Sequence, residues 1–393
     1  MFSTLQPTPA DPILQLAADF RADPRENKLD LGVGVYKDSS GLTVIPKAVK
    51  QAEAQLIEAQ DTKSYVGLLG DTAFNDAMAS LVLGEHPADR LSAIQTPGGS
   101  GALWILMSLI AKAKPGATVW VSTPTWGNHR AIAAGVGLST RDYPYFNPAT
   151  RAVEFDKMIA DLKDAGPGDV VLLHGCCHNP TGANLTEDNW ITLTEMALEQ
   201  GFTPLVDIAY QGFGDGLAED AANLRLMAAK VPEMMIAASC SKNFALYRDR
   251  VGCAMVLSSS AAEAKVVEAN LKTLMRISIS MPPDHGAALV RMILTDTALR
   301  SVWEDELTAM RSRMLALRQS LADALRERTN SDRFDFIAHH RGMFSLLGAT
   351  PEQVDQLRDQ HGIYLIRDSR VNVAGLKEDR ITEVAEAMAN VGL

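Results

Sequence analysis

The stretch Met234-Met-Ile-Ala-Ala-Ser239-Cys-Ser-Lys242-Asn-Phe runs from an apolar segment directly into a lysine, and Arg250 follows shortly after. The apolar part predicts a buried strand. A lysine just past such a strand, flanked by small hydroxyl residues, is placed where its amine can be partly desolvated and serve as a Schiff-base nucleophile. Ser239 and Arg250 could converge on a phosphate through a hydroxyl and a fork of charged N–H donors. Taken alone, Lys242 would more often be an ordinary solvated lysine.

Short apolar runs alternate with longer amphipathic stretches on both sides of this segment. The runs that predict buried strands are Ala117–Ser122, Asp169–Leu173, Thr203–Val206, Met234–Ser239 and Gly252–Leu257. The stretches between them that predict helices are Gly101–Ala113, Glu187–Gln200 and Asp220–Ala229. This alternation predicts an α/β fold whose sheet is largely parallel and covered by helices on both faces. Such sheets bind ligands at the carboxyl ends of their strands.

A long amphipathic helix is predicted over Asp305–Arg326, where apolar residues recur at three- and four-residue spacing. A shorter α+β region follows from about Arg333 to Leu393. A long helix between the alternating α/β region and this shorter α+β region is a plausible domain hinge. The residues before about Ile45 could pack on either block.

Composition excludes several classes of protein. The chain has 393 residues, of which 47% are hydrophobic, and this is enough for a sizeable core in one large or two smaller domains. The net charge is −11 and the excess acid is dispersed. Without a basic stripe, neither a nucleic-acid partner nor a membrane-surface partner is expected.

The cysteines and the N-terminus favour a cytoplasmic protein. Cys176, Cys177, Cys240 and Cys253 contain no C-x-x-C pair, which fits a reduced setting. The first twenty residues lack the basic and apolar regions of a signal peptide. The longest apolar stretch is too short to cross a bilayer.

Three further polar segments lie beside predicted strands or helices. Gly98-Gly-Ser-Gly101 precedes a helix, where backbone N–H groups can approach a phosphate, although a plain turn is the commoner meaning of such a motif. Asp207 ends the run Thr203–Val206 and could be a cap, a metal ligand or an ion-pair partner. His174-Gly-Cys-Cys-His178 holds four soft ligands. Its adjacent cysteines lack the C-x₂₋₄-C spacing of zinc sites, so we expect no metal and interpret them as small core residues.

Four motifs together resemble the class I aminotransferases that use pyridoxal phosphate (PLP). Ser239-x-Ser-Lys242 with Arg250 resembles their PLP-lysine motif, and His174–Gly182, with Asn179-Pro-Thr-Gly, resembles their asparagine motif. Asp207-x-Ala-Tyr210 resembles their pyridine-binding motif, and Ser369-Arg370-Val-Asn-Val-Ala-Gly375 their carboxylate-binding motif. The order and spacing match over nearly the whole chain. The branch it resembles contains the bacterial aspartate and aromatic-amino-acid aminotransferases.

The resemblance implies a PLP-dependent transferase of fold type I. A large PLP domain with a mostly parallel sheet of the seven-stranded type would span residues 46–309. A smaller α+β domain would combine residues 13–45 and 310–393, and residues 1–12 would form an N-terminal arm. Members of this family are homodimers with active sites shared between subunits.

The family's roles carry over onto matching residues. Lys242 would hold the cofactor as a Schiff base and move the proton between Cα and C4′, while Asp207 would pair with the protonated pyridine nitrogen and His129 would orient Asp207. Asn179 and Tyr210 would bond the phenolic oxygen of PLP, and Tyr210 would be a catalytic residue together with Lys242 and Asp207. Trp126 would stack on the pyridine ring. The phosphate-binding residues would be Gly99, Ser100, Ser239, Arg250 and, from the partner subunit, Tyr65.

Substrate binding is implied at both ends of an amino acid. Arg370 would grip the α-carboxylate, and Arg276, supplied by the other subunit, would grip the distal carboxylate of aspartate, glutamate or 2-oxoglutarate. Bidentate pairing explains why arginine suits both places. Val33 and Gly34 would lie on a segment that closes over the substrate, and Trp126 and Asn179 would also contact it.

Two departures bear on specificity. Ile279 and Met281 stand where relatives specific for aspartate usually have a tyrosine and a polar residue. This apolar wall near Arg276 resembles the branch that also accepts aromatic amino acids. We therefore expect a ping-pong transaminase that moves an amino group from an aromatic amino acid or aspartate to 2-oxoglutarate.

Other functions remain as alternatives. A narrow aspartate aminotransferase comes first, and a PLP-dependent β-lyase or decarboxylase on the same fold is a less favoured possibility. A PLP-binding regulator would need a DNA-binding segment, for which there is no room before Asp11. A dehydrogenase-like domain would need a G-x-G-x-x-G after a first strand, which is missing.

Overall fold

The computed structural model describes residues 1–7 and 11–393. The strands are β1 (Leu29–Asp30), β2 (Leu91–Pro97), β3 (Thr118–Thr123), β4 (Ser139–Pro144), β5 (Phe146–Asn147), β6 (Ala152–Val153), β7 (Val170–His174), β8 (Thr203–Ile208), β9 (Met234–Ser239), β10 (Val251–Leu257), β11 (Phe344–Leu346), β12 (Ile363–Tyr364) and β13 (Arg370–Asn372). The helices are α1 (Pro12–Ala22), α2 (Lys47–Ala59), α3 (Thr72–Leu83), α4 (Gly98–Ala113), α5 (Asn128–Gly135), α6 (Phe155–Leu162), α7 (Glu187–Gln200), α8 (Glu219–Ala228), α9 (Ala261–Ser278), α10 (His285–Thr295), α11 (Thr297–Thr329), α12 (Phe336–His339), α13 (Pro351–His361) and α14 (Ile381–Asn390).

A seven-stranded sheet is the centre of the larger part of the chain. Its order is β2-β10-β9-β8-β7-β3-β4. β10 runs antiparallel to both of its neighbours, and the pairs from β9 to β4 are parallel. The register places His174 opposite Asp207, so the carboxyl ends of β7 and β8 lie side by side. The α/β fold with a mostly parallel seven-stranded sheet is confirmed.

Local sequence signals explain the helix boundaries. α7 begins with a capping box between Thr186 and Asn189 and ends at Gly201, whose φ of 78° is left-handed. α4 begins at Gly98, three residues before the predicted start. None of the described helices combines the length and apolar character needed to cross a membrane.

The chain forms two compact units. The larger is Val44–Arg313, and the smaller combines Met1–Thr43 with Met314–Leu393. The boundary between the units falls within α11, a few residues from the expected domain boundaries. The expected N-terminal arm includes residues 8–10, which lie outside the described residues.

Each unit has its own apolar core. In the large unit, α4 packs its Leu103, Leu106 and Ile110 with β3 and β7 residues such as Val119 and Val170. In the small unit, β1 pairs in parallel with β12, and β11 pairs antiparallel with β13. Arg318 is fully buried there and donates hydrogen bonds to the carbonyls of Gly342, Phe344 and Ile337, so its guanidinium bridges α11 to the segments that follow it.

Candidate active site

A pocket opens at the carboxyl end of the parallel strands in the large unit. Strands β7, β8 and β9 each deliver a polar side chain to it at or just beyond their last residue. This is the edge where a parallel α/β sheet binds ligands. The predicted site residues that line the pocket are Gly99, Ser100, Trp126, Asn179, Asp207, Tyr210, Ser239, Lys242 and Arg250.

Part of the pocket wall is built from hydrogen-bond donors. Gly98, Gly99 and Ser100 begin α4, and no side chain caps this helix, so the N–H groups of its first turn are available to an anion. Opposite them stand the Ser239 and Ser241 hydroxyls, 3.1 Å apart. Arg250 Nη1 lies 3.4 Å from Ser241 Oγ. This set of donors suits an anion.

We call the donor residues Gly98, Gly99, Ser100, Ser239, Ser241 and Arg250 the donor cradle. Its glycines leave room for an anion. Gly98 has a φ of +74°, and a Cβ there would lie 2.5 Å from Arg250 Nη2. A Cβ on Gly99 would lie 3.0 Å from Ser239 Cβ. Any side chain at these positions would therefore fill the space in which an anion could meet the donors.

The pocket also contains a buried carboxylate. Asp207 is the penultimate residue of β8 and is 9% exposed, and its Oδ2 lies 3.0 Å from Nε2 of the fully buried His129. Thr125 Oγ1 lies 2.8 Å from His129 Nδ1 and 3.2 Å from His174 Nε2. Burial, reinforced by the neighbouring His129, lowers the pKa of His174 to about 3, so His174 is neutral at pH 7. Sequence reasoning did not include Thr125, His174 or Ser241 among the site residues.

Lys242 is half-buried and lines the same pocket from the chain segment that follows β9. The Ala245 N–H donates to the Lys242 carbonyl at 3.0 Å, which closes a turn and holds the lysine backbone in place. Lys242 Nζ lies 4.8 Å from the centre of the Tyr247 ring. Across the pocket, Asn179 Nδ2 donates to the Tyr210 hydroxyl at 3.4 Å.

Cys176 also lines the pocket, and Cys177 follows it. Both are buried, as expected for small core residues. A hydrogen bond with Cys177, together with burial, raises the pKa of the Cys176 thiol well above its usual value.

Two predicted residues of the large unit lie away from this pocket. Tyr65 is 85% exposed. Arg276 is exposed near the end of α9 and donates from Nη1 to Ser280 Oγ at 2.6 Å. Ile279 beside it is also exposed. Both Tyr65 and Arg276 were expected to act in a partner subunit.

The remaining predicted residues belong to the small unit, where they lie close together. Arg370 is 6% exposed, donates from Nη2 to the Gly32 carbonyl at 2.9 Å and lies over the Phe344 ring. Asn372 Nδ2 donates to the carbonyl of Val33 at 2.7 Å. This fixes the segment that contains Val33 and Gly34 against β13.

The residues of the pocket fit PLP. The donor cradle suits its phosphate, the buried carboxylate of Asp207 suits a protonated ring nitrogen, and Asn179 and Tyr210 offer donors to a ring oxygen. Lys242 supplies an amine within the same pocket.

Comparison with known proteins identifies the family. The model of the family "aminotransferase class I and II" matches residues 26–388. The chain is 50% identical to an aromatic-amino-acid aminotransferase of Paracoccus denitrificans and 43% identical to an aspartate aminotransferase of Escherichia coli K12, each over the full length of both proteins. It matches the structure of an aromatic-amino-acid aminotransferase from Burkholderia pseudomallei covalently bound to pyridoxal phosphate with a TM-score of 0.97 and 39% identity, covering 100% of this chain and 99% of that one. The chain therefore belongs to the class I and II aminotransferases and catalyses transamination.

Proposed function

We propose that this enzyme uses PLP to move an amino group from an aromatic amino acid or aspartate to 2-oxoglutarate in a ping-pong reaction. The observation that carries the proposal is one pocket that is lined by Lys242, by the donor residues Gly99, Ser100, Ser239 and Arg250, and by the Asp207 carboxylate. The names of the similar proteins, which include both aromatic-amino-acid and aspartate aminotransferases, support the substrates.

The cofactor would be held at its phosphate and at its ring nitrogen. Gly99, Ser100, Ser239 and Arg250 bind the phosphate, and Tyr65 of a second subunit completes that set. When bound, PLP supplies an electron sink for the electron pair released at the substrate's Cα. Asp207 keeps the ring nitrogen protonated and His129 holds the Asp207 carboxylate in position.

The remaining pocket residues would orient the cofactor ring and transfer a proton. Trp126 would stack on the ring, and Asn179 and Tyr210 would donate hydrogen bonds to its oxygen. Lys242 Nζ would be the covalent attachment point of the cofactor. Its free amine would act as general base at the substrate's Cα and as general acid at C4′ of the cofactor, which moves the proton between the two carbons.

Substrate carboxylates would be bound by two arginines. Arg370, with the Val33–Gly34 segment beside it, takes the α-carboxylate common to all substrates. Arg276 of the second subunit takes the distal carboxylate of a dicarboxylate. The exposure of Tyr65 and Arg276 supports a homodimer that covers them. The spacing of the four cysteines, which contain no C-x-x-C pair, supports a cytoplasmic location.

Dual specificity rests on the surroundings of Arg276. An aromatic side chain requires this guanidinium to move aside without becoming buried and unpaired. Ser280 Oγ accepts a hydrogen bond from Arg276 at 2.6 Å, so the guanidinium has a polar partner that needs no substrate. Ile279 and Met281 add apolar surface for the ring.

Stopped-flow half-reactions with Arg276→Ala test this specificity. Aspartate should lose roughly 2–5 kcal/mol of transition-state stabilisation, the cost of truncating one partner of a charge pair. Phenylalanine should react at nearly the wild-type rate. Arg300→Ala, which removes an exposed arginine paired with Glu304, is the matched control and should change neither half-reaction.

Two results would reject the dual specificity. Equal losses for aspartate and phenylalanine would show that Arg276 does not distinguish them. A wild-type enzyme without any reaction toward aromatic amino acids would be a narrow aspartate aminotransferase, the second candidate.

A further inference from the structure

Two adjacent thiols and a carboxylate meet beside the pocket. The thiol sulfurs of Cys176 and Cys177 and a carboxylate oxygen of Asp220 all lie within 4.8 Å of one another, and all three residues are buried. Successive side chains of an extended segment point in opposite directions. Cys177 breaks this alternation with a left-handed φ of 49°, and both thiols face Asp220.

Asp220 is held in place by the backbone of a neighbouring loop. Its Oδ2 accepts from the N–H groups of Gly212 and Gly214 at 2.8 and 2.9 Å, and its Oδ1 accepts from Asp215 N–H at 2.9 Å. These donors leave further lone pairs on the carboxylate. The third group of the cluster is therefore fixed before any ligand arrives.

The spacing is close to that of a metal site. Two sulfurs bonded tetrahedrally to zinc at about 2.3 Å lie roughly 3.8 Å apart, so the three ligand atoms need to move by about 1 Å or less. Sulfur ligands select soft cations over Mg²⁺ and Ca²⁺. The run His174–His178 alone could not reveal this cluster, because its oxygen ligand comes from α8.

We propose that Cys176, Cys177 and Asp220 bind one thiophilic divalent cation of the Zn²⁺ and Cd²⁺ class at the wall of the active-site pocket. On binding, two S–H bonds break, two sulfur–metal bonds form and two protons leave to solvent, with no change in oxidation state. Because Cys176 also lines the pocket, the fourth coordination position of the cation is open to a water from the pocket side. The cation is an inhibitor, since it occupies the wall against which the cofactor and substrate would bind.

Titration of the holoenzyme with Cd²⁺ tests the site without reference to the amino-acid substrates. Equilibrium dialysis should give one tightly bound Cd²⁺ per chain, accompanied by an ultraviolet thiolate-to-cadmium charge-transfer band. Cys176→Ser and Cys177→Ser should each abolish the band and weaken binding at least about tenfold, since even groups that only support metal ligands change affinity by 10- to 100-fold. The cofactor absorbance of each variant checks that it is folded.

Cys240→Ser is the matched control, because Cys240 is a buried thiol of the same unit outside the cluster. It should retain the wild-type affinity and the band. The proposal is overturned if wild-type holoenzyme shows no charge-transfer band with Cd²⁺. It is equally overturned if Cys176→Ser and Cys177→Ser bind Cd²⁺ as the wild type does.

Discussion

The Asp207 carboxylate is buried at the end of β8, and its Oδ2 is paired with His129. Burying a carboxylate costs free energy that hydrogen bonds and cationic partners offset. His129 lies on the protein side, while the pocket side of Asp207 is open to a ligand. The arrangement therefore favours a ligand that brings a positive charge to Asp207, as a protonated ring nitrogen does.

Asp207→Ala should slow transamination by at least about 10³-fold, equivalent to roughly 4 kcal/mol of transition-state stabilisation. The reason is that the ring nitrogen loses the anion that keeps it protonated. Steady-state kinetics with saturating cofactor measure the effect. Asp142→Ala, which removes an exposed carboxylate paired with Arg130, should leave the rate unchanged. Turnover near the wild-type value in Asp207→Ala would mean that another group protonates the ring.

Individual residues differ in how far sequence could predict them. Lys242 and Asp207 follow apolar runs, so their position at strand ends was predictable from local pattern. Thr125 and His174 join Asp207 through side-chain hydrogen bonds between separate elements, which no local pattern contains. Tyr65 and Arg276 are exposed in one chain, so only the family resemblance marks them.

Among the secondary-structure elements, helix α4 contributes its first turn to the donor cradle. Gly98 has a left-handed φ and lies where a Cβ would collide with the Arg250 guanidinium. Gly116, just beyond the same helix, also has a left-handed φ of +84°, but a Cβ there would meet nothing within 4 Å. Alanine substitutions at Gly98 and Gly116 can therefore distinguish the effect of backbone strain, which both share, from the effect of a collision with Arg250, which occurs only at Gly98.

Gly98→Ala should weaken cofactor binding by roughly 10- to 100-fold, which corresponds to the 1–3 kcal/mol typical of overpacking. Gly116→Ala should cost similar backbone strain and leave cofactor affinity unchanged. Fluorescence titration of the cofactor-free variants with PLP measures both. Equal affinities in the two variants would show that Gly98 does not shape the cradle.

Elements with a strong local signal were predicted closely. β9 is a continuous apolar run, and α7 carries a capping box and a terminal glycine, so both have the predicted bounds. β2 and β4 were not predicted. β4 is an edge strand with mostly exposed polar residues, and β2 buries Ser92 and Gln95, whose side chains donate to the carbonyls of Ala264 and Pro283. Tertiary hydrogen bonds of this kind leave no apolar run in the sequence.

At the level of the whole molecule, the residue pattern alone left open which core the N-terminal residues join, and only the family resemblance assigned residues 13–45 to the small domain. The parallel pairing of Leu29 with Ile363 places them with the C-terminal region, and the hydrogen bonds from Asn372 to the carbonyls of Val33 and Val35 strengthen that association. Pairing between distant segments depends on the folded chain and not on local propensity. The α/β class was nevertheless predictable, because alternating strands and helices leave few other arrangements.

We expect Lys242 to carry the cofactor in the pocket formed by the large unit. Borohydride reduction of the PLP-loaded enzyme fixes the cofactor on its lysine, and peptide mapping then locates the label. Lys242→Ala, which should still bind PLP through Arg250, Ser239 and the Gly99–Ser100 turn, is the control and should give no label. We expect a single labelled peptide that contains Lys242, and a stoichiometric label on any other lysine would contradict this assignment.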